Sequence, residues 1–185
     1  MRRFSANFIY VFTFSVILFC SCNNNQQDNG IPQNHKPTQK EVKESLIKSH
    51  QMYVKQETDE ITQYIKRHNY TMQATSTGIY YMITEHGKGE QPLTKDYVTV
   101  SYKISLLDGT LCYDSQKEGP KQFKVGQDVE ESGVHQAVQL MHVGDKGTFI
   151  IPSYLAQGLI GDKDKIPPGA VVIYEINLLS IKKGS

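Results

Sequence analysis

Three side chains on one short stretch could do chemistry together: Tyr102, Tyr113 and Asp114. They lie in residues 96–115, DYVTVSYKISLLDGTLCYDS. Two aromatics beside a carboxylate in a half-buried sheet make an apolar pocket with one polar fixing point. The alternative is a solvent-facing hairpin whose tyrosines fill the core. Other chemistries find no support. The six histidines, His35, His50, His68, His86, His135 and His142, lack ligand spacing with cysteine or carboxylate partners, so no metal is expected and solvated side chains are. His142 is placed to cap a helix end electrostatically. Gly87 and Gly89 form no phosphate-binding pattern. Ser115 and Ser153 lack a nucleophile elbow, and Cys112 reads as a small strand residue. No cofactor is implied.

The element that must carry the three is a hairpin. Val98, Val100, Tyr102 and Ile104 recur at period two, with Thr99, Ser101 and Lys103 between them. Asp108-Gly109 supplies the turn, because glycine tolerates the positive φ that tight hairpins need. Residues 110–114 form the return strand. Further strands are expected at 78–84, 122–125, 147–152 and 171–181, with a short helix at 133–141 whose Val134, Ala137, Val138 and Met141 share one face. Residues 153–158 read as a turn or helical loop. The architecture is α+β: an antiparallel sheet of five to six strands curled over a short helix.

Upstream, residues 39–68 contain no glycine or proline, and Val42, Leu46, Ile47, Ile61, Tyr64 and Ile65 recur at helical spacing. Thr38 and Glu41 fit a capping box, and a break near residues 57–59 is compatible with the pattern. Such a helix packs on its own domain, the reading favoured here, or pairs with a second copy as a homodimer. Residues 23–38 are polar, with Pro32 and Pro37, and read as a tether.

The N-terminus reads as an address. Arg2 and Arg3 precede an apolar run over residues 8–20, too short for a comfortable span of about 20 residues and suited to a signal-peptide core. The run ends in Leu18-Phe19-Cys20-Ser21-Cys22, which resembles a bacterial lipobox with Cys22 as the lipid-attachment residue. Acyl chains hold a protein to a membrane without spanning it, since each buried CH₂ contributes about 0.8 kcal/mol. The absence of an acidic cluster after Cys22 suits an outer-membrane anchor facing the periplasm. The expected division is a leader at 1–21, a tether at 22–38, a helical segment at 39–73 and a domain at 74–185. A net charge of +1, from 20 basic and 19 acidic residues with no basic stripe, gives no footprint for nucleic acid.

Between residues 78 and 182 an ordered set of short motifs carries a resemblance. It comprises Gly78-Ile79-Tyr80-Tyr81, Val98 with Val100 and Tyr102, Leu107-Asp108-Gly109, Tyr113-Asp114-Ser115, Phe123 with Val125-Gly126, Val143-Gly144, Ile151-Pro152, Ala156 with Gly158, Ile166-Pro167-Pro168-Gly169-Ala170 and Glu175 with Leu178-Leu179. The set resembles the FK506-binding-protein class of peptidyl-prolyl cis-trans isomerases. The lipobox, long helix and Gly-Ile-Tyr-Tyr lead-in also resemble gliding-motility lipoproteins of that class. The resemblance implies a half-barrel sheet around a short helix, with an apolar pocket between them that binds proline-containing polypeptides. It implies that Tyr102, Tyr113, Asp114, Val134, Ile166 and Tyr174 form that pocket and its catalytic surface, with Phe123, Glu130, Glu131 and Gln157 at the rim. Several positions depart. Val134 stands where the family has a tryptophan floor, Glu130 and Glu131 replace a Val-Ile pair, Gln157 replaces a tyrosine and Lys121 an aromatic. A wider, more polar pocket is expected, less able to bind macrolides, with rim carboxylates that favour basic segments. Two functions follow from the resemblance: an envelope isomerase assisting folding or assembly of exported proteins, or a catalytically weak module of the same fold that holds clients as a chaperone.

Overall fold

The structure, a computed structural model, describes residues 36–184. The leader, Cys22 and most of the tether lie outside the described residues. The element order is α1 (Gln39–Arg67), β1 (Gln73–Ala74), β2 (Tyr80–Glu85), β3 (Tyr97–Leu106), β4 (Leu111–Asp114), α2 (Ser115–Glu118), β5 (Lys121–Lys124), α3 (Ser132–Val138), β6 (Lys146–Ile151), two single 3₁₀ turns (Ser153–Leu155 and Gly158–Ile160) and β7 (Val172–Lys182).

One antiparallel sheet runs β1-β2-β6-β7-β3-β4, with β5 also on β3. It has seven strands because it also includes the two-residue β1, which carries too short a pattern to read from sequence. β3 organises it. One edge pairs along its length with β7; the other pairs with β5 near Tyr97 to Val100 and with β4 near Lys103 to Ser105. Between those two partners the chain leaves the sheet for one helical turn, α2, capped by the Asp114 carboxylate accepting from Gln116 N–H at 2.8 Å.

Burial explains the apolar runs. Phe149, Ile151, Val172, Tyr174, Ile176 and Leu178 face Val134, Ala137, Val138 and Met141 at α3 and the turn after it. Their neighbours in the alternation, Ile150, Val171 and Ile173, face the opposite way, against Ile61 and Tyr64 of α1. β6 and β7 are therefore covered on both faces at this end, which removes the polar half of the pattern. Gly133 lets α3 approach the sheet: a Cβ there would lie against Ile151 and 2.8 Å from the Leu155 carbonyl oxygen. Gly133→Ala is expected to destabilise by about 1–3 kcal/mol through overpacking, despite alanine's ordinary helical advantage. A urea midpoint at or above the parent's would contradict this.

Three expectations need correction. α1 runs unbroken through residues 57–59, because Glu57 is buried there and accepts a hydrogen bond from Ser153. His135 is buried, not solvated. Its Nδ1 accepts from Gly126 N–H at 3.0 Å, and its ring meets Phe123 edge-on at 5.4 Å. His142 lies beyond the end of α3; its N–H donates to the Asp145 carboxylate at 2.7 Å in the next turn.

α1 reaches beyond its own apolar patch. Tyr53 donates to the Gly169 carbonyl at 3.1 Å, and Glu57 holds Ser153 at the first 3₁₀ turn. By contrast, its first turns expose Val42, Leu46, Ile47 and Met52.

Candidate functional site

Register brings the aromatics together. Ile104 pairs with Tyr113 on β4 and with Tyr174 on β7, and Tyr174 pairs with Phe149 on β6. One row, Tyr113, Ile104, Tyr174, Phe149, thus crosses four strands on one face. The next row pairs Tyr102 with Ile176. Opposite these rows, Val134 from α3 and Ile166 from the loop before β7 close a cavity of about 230 Å³.

Of the ten side chains singled out from sequence, nine line this cavity: Tyr102, Tyr113, Phe123, Glu130, Glu131, Val134, Gln157, Ile166 and Tyr174. Asp114 does not. It pairs with Lys103, one residue out of phase with the Ile104 row, and lies in a separate polar depression beside Ser101, Lys103 and Gln116. Its carboxylate caps α2 instead. The cavity also takes in Glu118, Asp162, Ile104 and Ile176. The last two continue the period-two patterns of β3 and β7 and were legible on that basis. Glu118 and Asp162 sit in a one-turn helix and a loop, where no periodicity marks them.

The mouth is polar and closely bonded. Tyr102 donates to Glu118 at 3.0 Å, and Tyr113 donates to Asp162. The Lys165 ammonium lies 4.2 Å from the centre of the Tyr113 ring and 3.7 Å from Glu118. Lys121 pairs with Glu130 at 2.8 Å, and Gln157 donates to Glu131. These contacts tie β4, α2, the approach to α3 and the 161–166 loop around one opening.

The surroundings keep the phenols protonated. Burial, followed by the neighbouring Glu118 carboxylate, pushes Tyr102 up to about 12. Tyr113 is raised chiefly by its bond to Asp162. Tyr174 is raised well above the ordinary range by burial and then by the Glu131 carboxylate. At neutral pH all three are donors and none is a base. The cavity therefore offers apolar walls with fixed hydroxyl dipoles, an arrangement suited to stabilising a shape rather than moving a proton. The sign of the pH effect follows. Below the ordinary phenol value of 10.0 the stabilisation is complete. Above it the unfolded chain sheds protons first, so stability falls with rising pH through Tyr102's folded value of about 12. Absorbance titration in the phenolate band is expected to show a late-ionising tyrosine class released on unfolding; its absence would contradict these environments. Among the described residues no group of three or more His, Cys, Asp or Glu side chains is placed to hold a metal.

Comparison with known proteins now decides the family. The family model for FKBP-type peptidyl-prolyl cis-trans isomerase matches residues 88–179. Residues 88–179 form a domain of this family. The match takes in both strands of the opening hairpin, α3 and every residue lining the cavity. The probable FKBP-type peptidyl-prolyl cis-trans isomerase FkpA of Neisseria meningitidis serogroup B is 40% identical over 112 residues, covering 60% of this chain and 40% of that one. The outer membrane protein MIP of Legionella longbeachae is 36% identical over 110 residues, covering 59% and 46%. The chain therefore spans less than half the length of these curated relatives. Among solved structures, FkpA from Escherichia coli superposes with a TM-score of 0.60 at 27% identity, over 81% of this chain and 76% of that one. AtFKBP13, at 22% identity and a TM-score of 0.58, shares the fold. The FKBP half-barrel expected from the motif order is thus the observed fold, with the long helix docked behind its sheet.

Proposed function

We propose that this FKBP-type domain catalyses cis-trans rotation about the bond preceding proline in polypeptide clients of the bacterial envelope. The observation that carries the reading is the row Tyr113, Ile104 and Tyr174 facing Val134 and Ile166 across the cavity. A peptide bond resists rotation by about 18–20 kcal/mol because resonance favours planarity. At the transition state the amide is twisted and has lost part of its dipole. An apolar enclosure disfavours the polar planar form more than the twisted one, which is differential binding of the transition state. A barrier lowered by about 7 kcal/mol accelerates rotation roughly 10⁵-fold. No covalent intermediate is needed. Tyr102, Tyr113 and Tyr174 wall the proline ring with Val134 and Ile166, Phe123 backs the rim, and Gln157 and the carboxylates set the entrance. Asp114 acts indirectly, by fixing the α2 turn that carries Glu118. The test is a proline-limited refolding assay with the full chain and a Tyr174→Ala variant: acceleration by the parent and loss in the variant are expected, and an unchanged slow phase with the parent would overturn the reading.

A second reading has two observations in its favour. Val134 leaves the cavity without an aromatic floor, and the Tyr102 hydroxyl is already engaged by Glu118. The pocket then holds clients without useful turnover, as a chaperone module. Suppressed aggregation without faster refolding would select this reading.

The anchored location is supported by the leader, by Cys22, and by a relative named for the outer membrane. Among the described residues no helix is long and apolar enough to cross a membrane. Palmitate labelling that survives Cys22→Ala would remove Cys22 as the attachment residue, and a parent chain that takes no label would remove the anchor. Exposed Leu46, Ile47 and Met52 on α1 support pairing of two copies, which sedimentation tests directly. A place in gliding machinery is carried by the lipoprotein resemblance, and normal spreading of a deletion strain would remove it.

A further inference from the structure

The cavity has apolar walls and an acidic mouth. Glu118, Glu130, Glu131 and Asp162 line it, against Lys121. Their compensation is unequal. Glu130 is matched by Lys121 at 2.8 Å and Glu118 by Lys165 at 3.7 Å. Glu131 and Asp162 are held by neutral groups only. Gln157 donates to Glu131, while Tyr113 and the N–H groups of Asp164 and Ile166 donate to Asp162. Among the described residues neither forms an ion pair. Both are half-buried, so solvent screens them less than surface charges. They also come from different elements, one at the start of α3 and the other from the loop before Ile166.

We propose that this isomerase site selects prolines adjoined by lysine or arginine. The proposal rests on the isomerase reading, which puts the proline ring against Ile166, Val134 and Tyr174. Its neighbours in the chain must then pass the opening, where Glu131 and Asp162 stand. A cationic side chain there gains a partner that the protein itself does not supply. An acidic neighbour meets like charge in a poorly screened site. Glu130 contributes little, because Lys121 has already neutralised it. The structure thereby divides the Glu130-Glu131 pair, which sequence alone treats as equivalent.

The experiment uses the full chain and three short peptides with lysine, leucine or glutamate before proline. Exchange between isomers is followed by NMR, and binding of the same peptides is read from shift changes. The lysine peptide is expected to exceed the glutamate peptide in kcat/KM by about tenfold at low salt, with the gap closing as salt rises. Glu131→Gln is expected to bring the two toward parity, whereas Glu130→Gln leaves a clear preference. Circular dichroism establishes that each variant is folded, and the salt series on the parent stands as a test should a variant fail to fold. A lysine-to-glutamate ratio near one in the parent, or a ratio untouched by both Glu131→Gln and salt, overturns the proposal. Failure of the isomerase reading is distinct: no peptide then turns over, while the binding series still reports whether the cationic neighbour is preferred.

Discussion

A chain beginning at Ala74 is expected to be about 5 kcal/mol less stable than one beginning at Gln39. The sequence pattern places a domain boundary at residue 74, but burial crosses it. Ile61 is 1% exposed and Tyr64 8%, and both pack on Ile150, Val171 and Ile173 of the sheet. Each large apolar side chain contributes about 1.5–3 kcal/mol when fully buried. Cutting at Ala74 removes both and also leaves the three sheet residues facing water. Tyr53 and Glu57 leave with them, which frees Gly169 and Ser153. A domain of this size is stable by only about 5–15 kcal/mol in total, so the fragment is expected at the margin of folding. Urea denaturation of the two chains measures the difference. Coincident midpoints would mean that α1 rests on the sheet without supporting it.

The second large effect is Phe149→Ala. Phe149 is fully buried, stacks on Tyr81 with centroids 6.1 Å apart and stands beside Tyr174 in the pocket row. Truncation at such a position costs about 3–5 kcal/mol, because the hole is only partly filled by relaxation. On the proposed isomerase reading, loss of turnover is expected to accompany it, since Tyr174 loses the ring beside it in the row. Phe149→Leu fills most of the hole and is expected to recover most of both. A loss below about 1 kcal/mol for alanine would show that the sheet repacks there, contrary to close-packed interiors.

Much of this site was legible beforehand, for a physical reason. Side chains on a strand alternate, so Tyr102 and Ile104 had to share a face, and so did Tyr174 and Ile176. The Asp108-Gly109 turn then set one strand against the other. What escaped notice depended on register and distance. Tyr113 and Asp114 are adjacent in sequence, but an irregularity between Ile104 and Ser105 sets the phase of β4, and only Tyr113 falls in the pocket row. α2 is one turn long and has no period to detect. Glu57 and His135 look solvated by residue type; each is buried with a partner far along the chain, or across a turn, donating to its polar atom. Asp162 became visible only once the 161–166 loop had folded back over Tyr113.

The first half of α1 stands clear of the sheet, from Gln39 to Met52, an arm of about 20 Å at 1.5 Å per residue. Directly beyond it sit Tyr53 and Glu57, gripping the two loops that supply Ile166 and Gln157 to the cavity. Along α1 the grip on the pocket's loops, at Tyr53 and Glu57, therefore comes about one to three turns before the grip on the sheet, at Ile61 and Tyr64.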